Sequence, residues 1–187
     1  MQKLIDSVKL AKKLNFPLVN CHPGAVEKQP QIEKCWGWMI GVFKKAVKLA
    51  EKNNIKISIE CMEEKPKEFV KEPEQLLRII DSVGSPNLGI TFDIIHAYTH
   101  GEERPLKYFH EFKHKVFHVH ISGHSKAKTH VPFAQTQTPK GYIEDFLKQI
   151  IKEYHDILSV EGAMNVPKEE QLKIIKDNIR FLRKIFP

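Results

Sequence analysis

Five short apolar runs in this sequence each end in a group able to bind a cation or move a proton: His22 after Asn20-Cys21, Glu60 after Ile59, Asp93 after Phe92, His120 after Val119 and Glu161 after Val160. Three carboxylates gathered at one place repel each other and lose hydration at a cost unless a positive charge sits among them. A divalent cation is the natural occupant. Glu60, Asp93, His120 and Glu161 offer hard oxygens and one imidazole, a donor set suited to Mn2+, Mg2+, Co2+ or Zn2+. Taken singly, such a carboxylate is more often a cap or turn residue, and a lone histidine more often hydrogen-bonds backbone. Four on one face reverse that weighting. His118, one layer deeper than His120, reads as a core group. His100, His110, His114 and His155 fall in loops or helices, whereas His96 follows Asp93 by one turn and His130 sits in the polar loop after the His120 run.

The elements that must position these groups follow from periodicity. Apolar residues at helical spacing mark residues 2–15 (Leu4, Val8, Ala11, Leu14), about 31–53 (Ile32, Trp36, Met39, Ile40, Phe43, Val47, Ala50) and 73–83 (Leu76, Leu77, Ile80, Val83). Further helices are expected near 105–113, through Ile143, Phe146, Leu147, Ile150 and Ile151, and over about 167–185, with Leu172, Ile175, Ile179 and Leu182 turned inward. Between them lie strands at 17–21, 55–60, 88–93, 116–121 and 157–161, the first stopped by His22-Pro23-Gly24. Strands alternating with helices imply right-handed crossovers and a parallel sheet, doubly wound or closed as a barrel.

Side-chain parity separates these two. Ile57 and Ile59 share one strand face while Ser58 and Glu60 share the other; Ile90 and Phe92 oppose Thr91 and Asp93; Val119 and Ile121 oppose His118 and His120; Leu158 and Val160 oppose Ser159 and Glu161; Val19 and Cys21 oppose Asn20 and His22. A sheet covered by helices on both sides needs two apolar faces. A barrel needs only one, because its other strand face points into the lumen and its mouth carries the site. The expected fold class is therefore α/β, a parallel (β/α) barrel of TIM type, with residues 1–187 as a single domain.

Composition narrows the classes. The 187 residues are 41% hydrophobic and 28% charged, the balance of a chain that can bury a core. No apolar run approaches the roughly 20 residues of a membrane-spanning helix, so no membrane partner is expected. Cys21, Cys35 and Cys61 form neither CxxC spacing nor an even set, which argues against a disulfide framework and points to a reducing cytoplasm. The formal charge of +7 favours anionic partners, but the lysines are spread over helix faces without interleaved aromatics.

The segments Asn20-Cys21-His22-Pro23-Gly24, Ile59-Glu60-Cys61-Met62, Thr91-Phe92-Asp93-Ile94-Ile95-His96-Ala97, His118-Val119-His120-Ile121-Ser122, Thr129-His130-Val131-Pro132 and Ser159-Val160-Glu161 resemble the successive motifs of the xylose-isomerase-like barrel superfamily. That group includes sugar and sugar-phosphate isomerases and epimerases, and the endonuclease-IV-type AP endonucleases. The resemblance implies a metal site of Glu60, Asp93, His120 and Glu161, with Glu60 and Glu161 also acting as the acid/base pair of an epimerase. His96 would then contact substrate oxygen beside His22 and His130, and Lys128 would receive a phosphate. In the endonucleases the positions of His22, His96 and His130 hold additional zinc ions and the substrate is abasic DNA. Lys128 stands where both branches commonly carry an Asp two residues before the histidine matched by His130, which weakens the trinuclear reading.

The resemblance further implies that the first strand here corresponds to the family's fourth. Barrels of this type have eight strands and about 250 residues. The expectation is a partial barrel of the last five strand–helix units, preceded by three more in a longer reading frame, or else a homo-oligomer covering the open edge. Metal-dependent isomerisation or epimerisation of a small sugar or sugar phosphate through an enediolate is the leading expectation. An abasic-site zinc phosphodiesterase and an inactive metal-binding homologue are its rivals.

Overall fold

The computed structural model describes residues 2–25, 32–63, 65, 68–162 and 166–186. Its elements run α1 (Gln2–Leu14), β1 (Leu18–Cys21), α2 (Ile32–Glu51), β2 (Lys56–Glu60), α3 (Pro73–Val83), β3 (Leu88–Asp93), α4 (Ile94–Tyr98), α5 (Arg104–Phe112), β4 (Val116–Ile121), α6 (Tyr142–Ile150), β5 (Ile157–Val160) and α7 (Lys168–Ile185). The five strands form one sheet in the order β1-β2-β3-β4-β5. Register is parallel, with Val19 opposite Ile57, Glu60 opposite Thr91 and His120 opposite Ser159. Consecutive parallel neighbours joined by helices make this an α/β fold of the TIM-barrel type, represented by five strand–helix units. No helix among the described residues is long and apolar enough to cross a membrane.

By contacts the chain falls into two compact units, residues 1–91 with 114–117, and residues 92–113 with 118–187. In the first, α1 turns Val8 and Ala11 inward, and α2 contributes Trp36, Met39, Phe43, Val47 and Ala50 to the core. The helix expected from about residue 31 starts, as described, at Ile32; residue 31 lies outside the described residues. Leu14, expected on the inner face of α1, is half exposed. Leu14 is the last residue of α1, and Asn15 has already left the helix with φ 59°. Strand β2 buries Ile57 and Ile59 on one face and Ser58 and Glu60 on the other. Helix α3 stops at Gly84, whose φ of 68° suits a residue without Cβ, and its N–H donates to Ile80 O. Gly89 in β3 admits the Phe117 ring: a Cβ there would stand 2.5 Å from it.

In the second unit Phe92, Phe109 and Phe146 form the aromatic centre, with ring centroids 5.7 to 6.1 Å apart. Helix α6 buries Ile143, Phe146, Leu147 and Ile150 as its spacing predicts, while Ile151 is 40% exposed just beyond its end. The expectation for α7 needs correction. Leu172, Ile175 and Ile179 are 62%, 45% and 44% exposed, and the buried stripe is Ile174 and Asn178. The neighbouring ridge is what packs: the Phe181 ring lies tilted against Phe133 with centroids 4.5 Å apart, and Asn178 reaches the Phe133 backbone. A polar residue in that ridge hides it from any search for apolar periodicity.

Candidate metal centre

Each strand delivers its polar group within one residue of its C-terminal end: Glu60 closes β2, Asp93 closes β3, His120 is the penultimate residue of β4, and His22 and Glu161 follow β1 and β5. Glu60 is 2% exposed and is held from below. Asn20 Nδ2 donates to its Oε2 at 3.1 Å, and His22 Nε2 lies 3.4 Å from the same oxygen. Asn20 is itself oriented by the Thr91 hydroxyl, 2.8 Å from Asn20 Oδ1 and 2.7 Å from Ser58 Oγ. Beside Glu60, Cys21 Sγ faces Ser58 O at 3.5 Å, and burial, with the Glu60 charge second, pushes this thiol up to about 12.

Asp93 organises the other unit. Its Oδ1 accepts from Ile95 N at 2.7 Å and His96 N at 2.9 Å, capping α4 and placing a negative charge at the helix N-terminus. Its Oδ2 is buried, has no hydrogen-bond partner among the described residues, and lies 3.9 Å from both His120 Nδ1 and His130 Nδ1. Glu161 joins the two imidazoles, with Oε1 3.3 Å from His120 Nδ1 and Oε2 3.4 Å from His130 Nδ1. His130 Nδ1 is also 3.2 Å from Ser122 Oγ, and its Nε2 is 3.0 Å from His96 Nε2. His118 supports His120 from below: their rings meet edge to face at 4.5 Å, and its Nε2 is 2.7 Å from Ser159 Oγ.

These groups fit a cation. One ligand atom from each of Asp93, His120 and Glu161 lies within 4.8 Å of the others, and the same holds for Asp93, His96 and His130. An ion bound at about 2.1 Å brings its ligand atoms roughly 3 to 4 Å apart, and His120 Nδ1 already stands 3.3 Å from Glu161 Oε1 and 3.9 Å from Asp93 Oδ2. The buried Oδ2 of Asp93 supplies the decisive test, since an unsatisfied carboxylate oxygen at this depth is costly unless a positive charge completes it.

Of the residues singled out from sequence, Asp93, His96, His120, His130 and Glu161 come together, and His22 stands against Glu60. Lys128 is exposed in a turn closed by Ser125, with no side-chain bond to the cluster among the described residues. Asn20, Ser58 and Thr91 were legible as members of a polar strand face, and Ser122 only as the last residue of the His118–Ser122 motif, with no role assigned to it.

The sequence model of the xylose isomerase-like TIM barrel matches residues 1–185. The chain belongs to this family. An uncharacterized protein of Methanocaldococcus jannaschii, MJ1311, is 31% identical over 120 residues, covering 62% of this chain and 40% of its own length. A probable endonuclease 4 of Mycoplasmopsis pulmonis is 27% identical over 123 residues, covering 66% and 43%. The matches thus span about two fifths of these relatives. Among solved structures, a D-tagatose 3-epimerase-like protein has a TM-score of 0.76 at 23% identity, covering 98% of this chain and 69% of that one. The IOLI protein with a zinc atom has a TM-score of 0.72 at 21% identity, covering 95% and 66%. At these identities the structures establish the shared fold.

Proposed function

We propose that this xylose isomerase-like chain is a metal-dependent isomerase or epimerase of a sugar or sugar phosphate. The observation that carries the reading is the Asp93–His120–Glu161 group, with a buried carboxylate oxygen at its centre that has no hydrogen-bond partner among the described residues. Glu60 is assigned as the fourth ligand. The ground for including it is the resemblance of Ile59-Glu60-Cys61-Met62 to the family's motif. The D-tagatose 3-epimerase-like protein among the solved neighbours and the zinc-containing IOLI protein favour the same chemistry.

A bound divalent ion supplies Lewis acidity toward adjacent hydroxyl and carbonyl oxygens, lowering the cost of the negative charge that develops when a carbon-bound proton leaves. Glu60 and Glu161 handle that proton. One takes it from the carbon beside the carbonyl, the C–H electron pair moves toward the carbonyl to give an enediolate, and the other carboxylate returns a proton. Glu161 is equipped for both tasks, because Oε1 faces His120 while Oε2 faces His130. His96 and His130, 3.0 Å apart, orient substrate hydroxyls. His22 and Lys128 are assigned to the outer part of the substrate, with Lys128 available to a phosphate.

Incubation of the protein with Mn2+ or Zn2+ and a panel of ketoses, aldoses and their phosphates in D2O tests this. Deuterium appearing next to a sugar carbonyl, and lost with EDTA, is the expected result. No exchange with any sugar under any of the metals contradicts it. A second reading, a zinc phosphodiesterase acting on abasic DNA, is favoured by the endonuclease 4 relative and by the second possible ligand group, Asp93–His96–His130. Three zinc ions per chain with nicking of an abasic duplex would select it.

A further inference from the structure

His130 has φ 57°, a left-handed conformation that a side-chain-bearing residue holds only when its surroundings impose it. Three elements do so through the residues that follow it. At the end of β4, Gly123 and Val131 exchange two backbone bonds, Gly123 N to Val131 O at 2.7 Å and Val131 N to Gly123 O at 3.0 Å. Just beyond β5 and Glu161, Gly162 lies so close to this segment that a Cβ would stand 2.9 Å from Val131 O and 3.2 Å from Pro132 Cα. From α7, Asn178, only 4% exposed, accepts the Phe133 N–H on Oδ1 at 3.4 Å, and its Nδ2 is 3.3 Å from the point a Gly162 Cβ would occupy.

We infer that Asn178 and Gly162 are positioning residues for His130. Gripping residues 131–133 from two sides, they force the backbone turn that aims the His130 imidazole at Glu161 and His96. This also accounts for a buried Asn in the packed ridge of α7, where an apolar side chain would leave the Phe133 N–H without its acceptor. The inference rests on the reading of His130 as a group that orients substrate, and two kinds of measurement keep them separate.

The first is independent of turnover. Ring 1H–15N resonances of His130 and amide exchange at Val131 are followed in the full chain. Asn178→Ala is expected to shift the His130 ring signals and speed Val131 exchange about tenfold or more, with Val119 in β4 unchanged. Asn178→Asp, which keeps the acceptor, restores both. Gly162→Ala, which pushes on Val131 O in the same segment, reproduces the Asn178→Ala signature should that variant fold poorly. The second is kinetic: Asn178→Ala lowers kcat about tenfold, and adding it to His130→Ala causes no further loss. Unchanged ring signals and Val131 exchange, or losses that multiply in the double variant, would overturn the inference. Absence of any sugar turnover would count against the isomerase reading alone, since the spectra still decide the positioning role.

Discussion

Asp93 Oδ2 and His120 Nδ1 lie 3.9 Å apart at the ends of β3 and β4, with both side chains almost sealed from solvent. Asp93 divides its work: Oδ1 caps α4 and Oδ2 is left for a cation. Replacing it separates the two roles. Asp93→Asn keeps an oxygen for the cap and is expected to melt near the parent protein in EDTA, while the rise in Tm that Mn2+ gives the parent disappears. A ligand at 100 times its Kd stabilises by about 2.7 kcal/mol, so the effect is readily measured by thermal melting. Asp93→Ala also loses the cap and should be about 1 kcal/mol less stable without metal. A Tm rise with Mn2+ that survives Asp93→Asn would remove Asp93 from the site.

Thr91 controls Glu60 at one remove. Its fully buried hydroxyl bridges Ser58 Oγ and Asn20 Oδ1, and Asn20 in turn donates to Glu60. Thr91→Val keeps the shape and deletes the bridge, so urea unfolding should show a loss of about 1–3 kcal/mol. Metal affinity, measured by calorimetry, should fall about tenfold because Asn20 is no longer held.

Cys21 makes the alkaline side of the stability curve specific. With the folded thiol raised to about 12 from an ordinary 9, the native state binds more protons than the unfolded state between these values. Stability therefore falls as pH rises from about 9 toward 12. Cys21→Ala should flatten that limb in urea titrations at successive pH values. An unchanged slope would show that the thiol is not the group responsible.

The alternation of β2, β3, β4 and β5 was legible because a strand has a period of two, so one polar face with acidic or imidazole ends stands out in a short sequence. Asp93, His120 and Glu161 could be named on that ground. Helix α7 shows where such reading stops. Two ridges compete on it, and the more continuous apolar one, Leu172–Ile175–Ile179, is exposed, while the ridge broken by Asn178 is the one that packs. Which ridge wins depends on what the 132–133 segment offers, a tertiary fact no periodicity carries. The Asn20–Thr91–Ser58 bridge was hidden for a related reason, since its members meet only through the registers of β1, β2 and β3.

The most direct measurement is an anomalous-scattering map from crystals grown with Mn2+. One strong peak is expected within about 2.0–2.6 Å of oxygens from Glu60, Asp93 and Glu161 and about 2.2 Å from His120 Nδ1. A peak bound elsewhere, or no peak at saturating Mn2+ with these four side chains ordered, would contradict it.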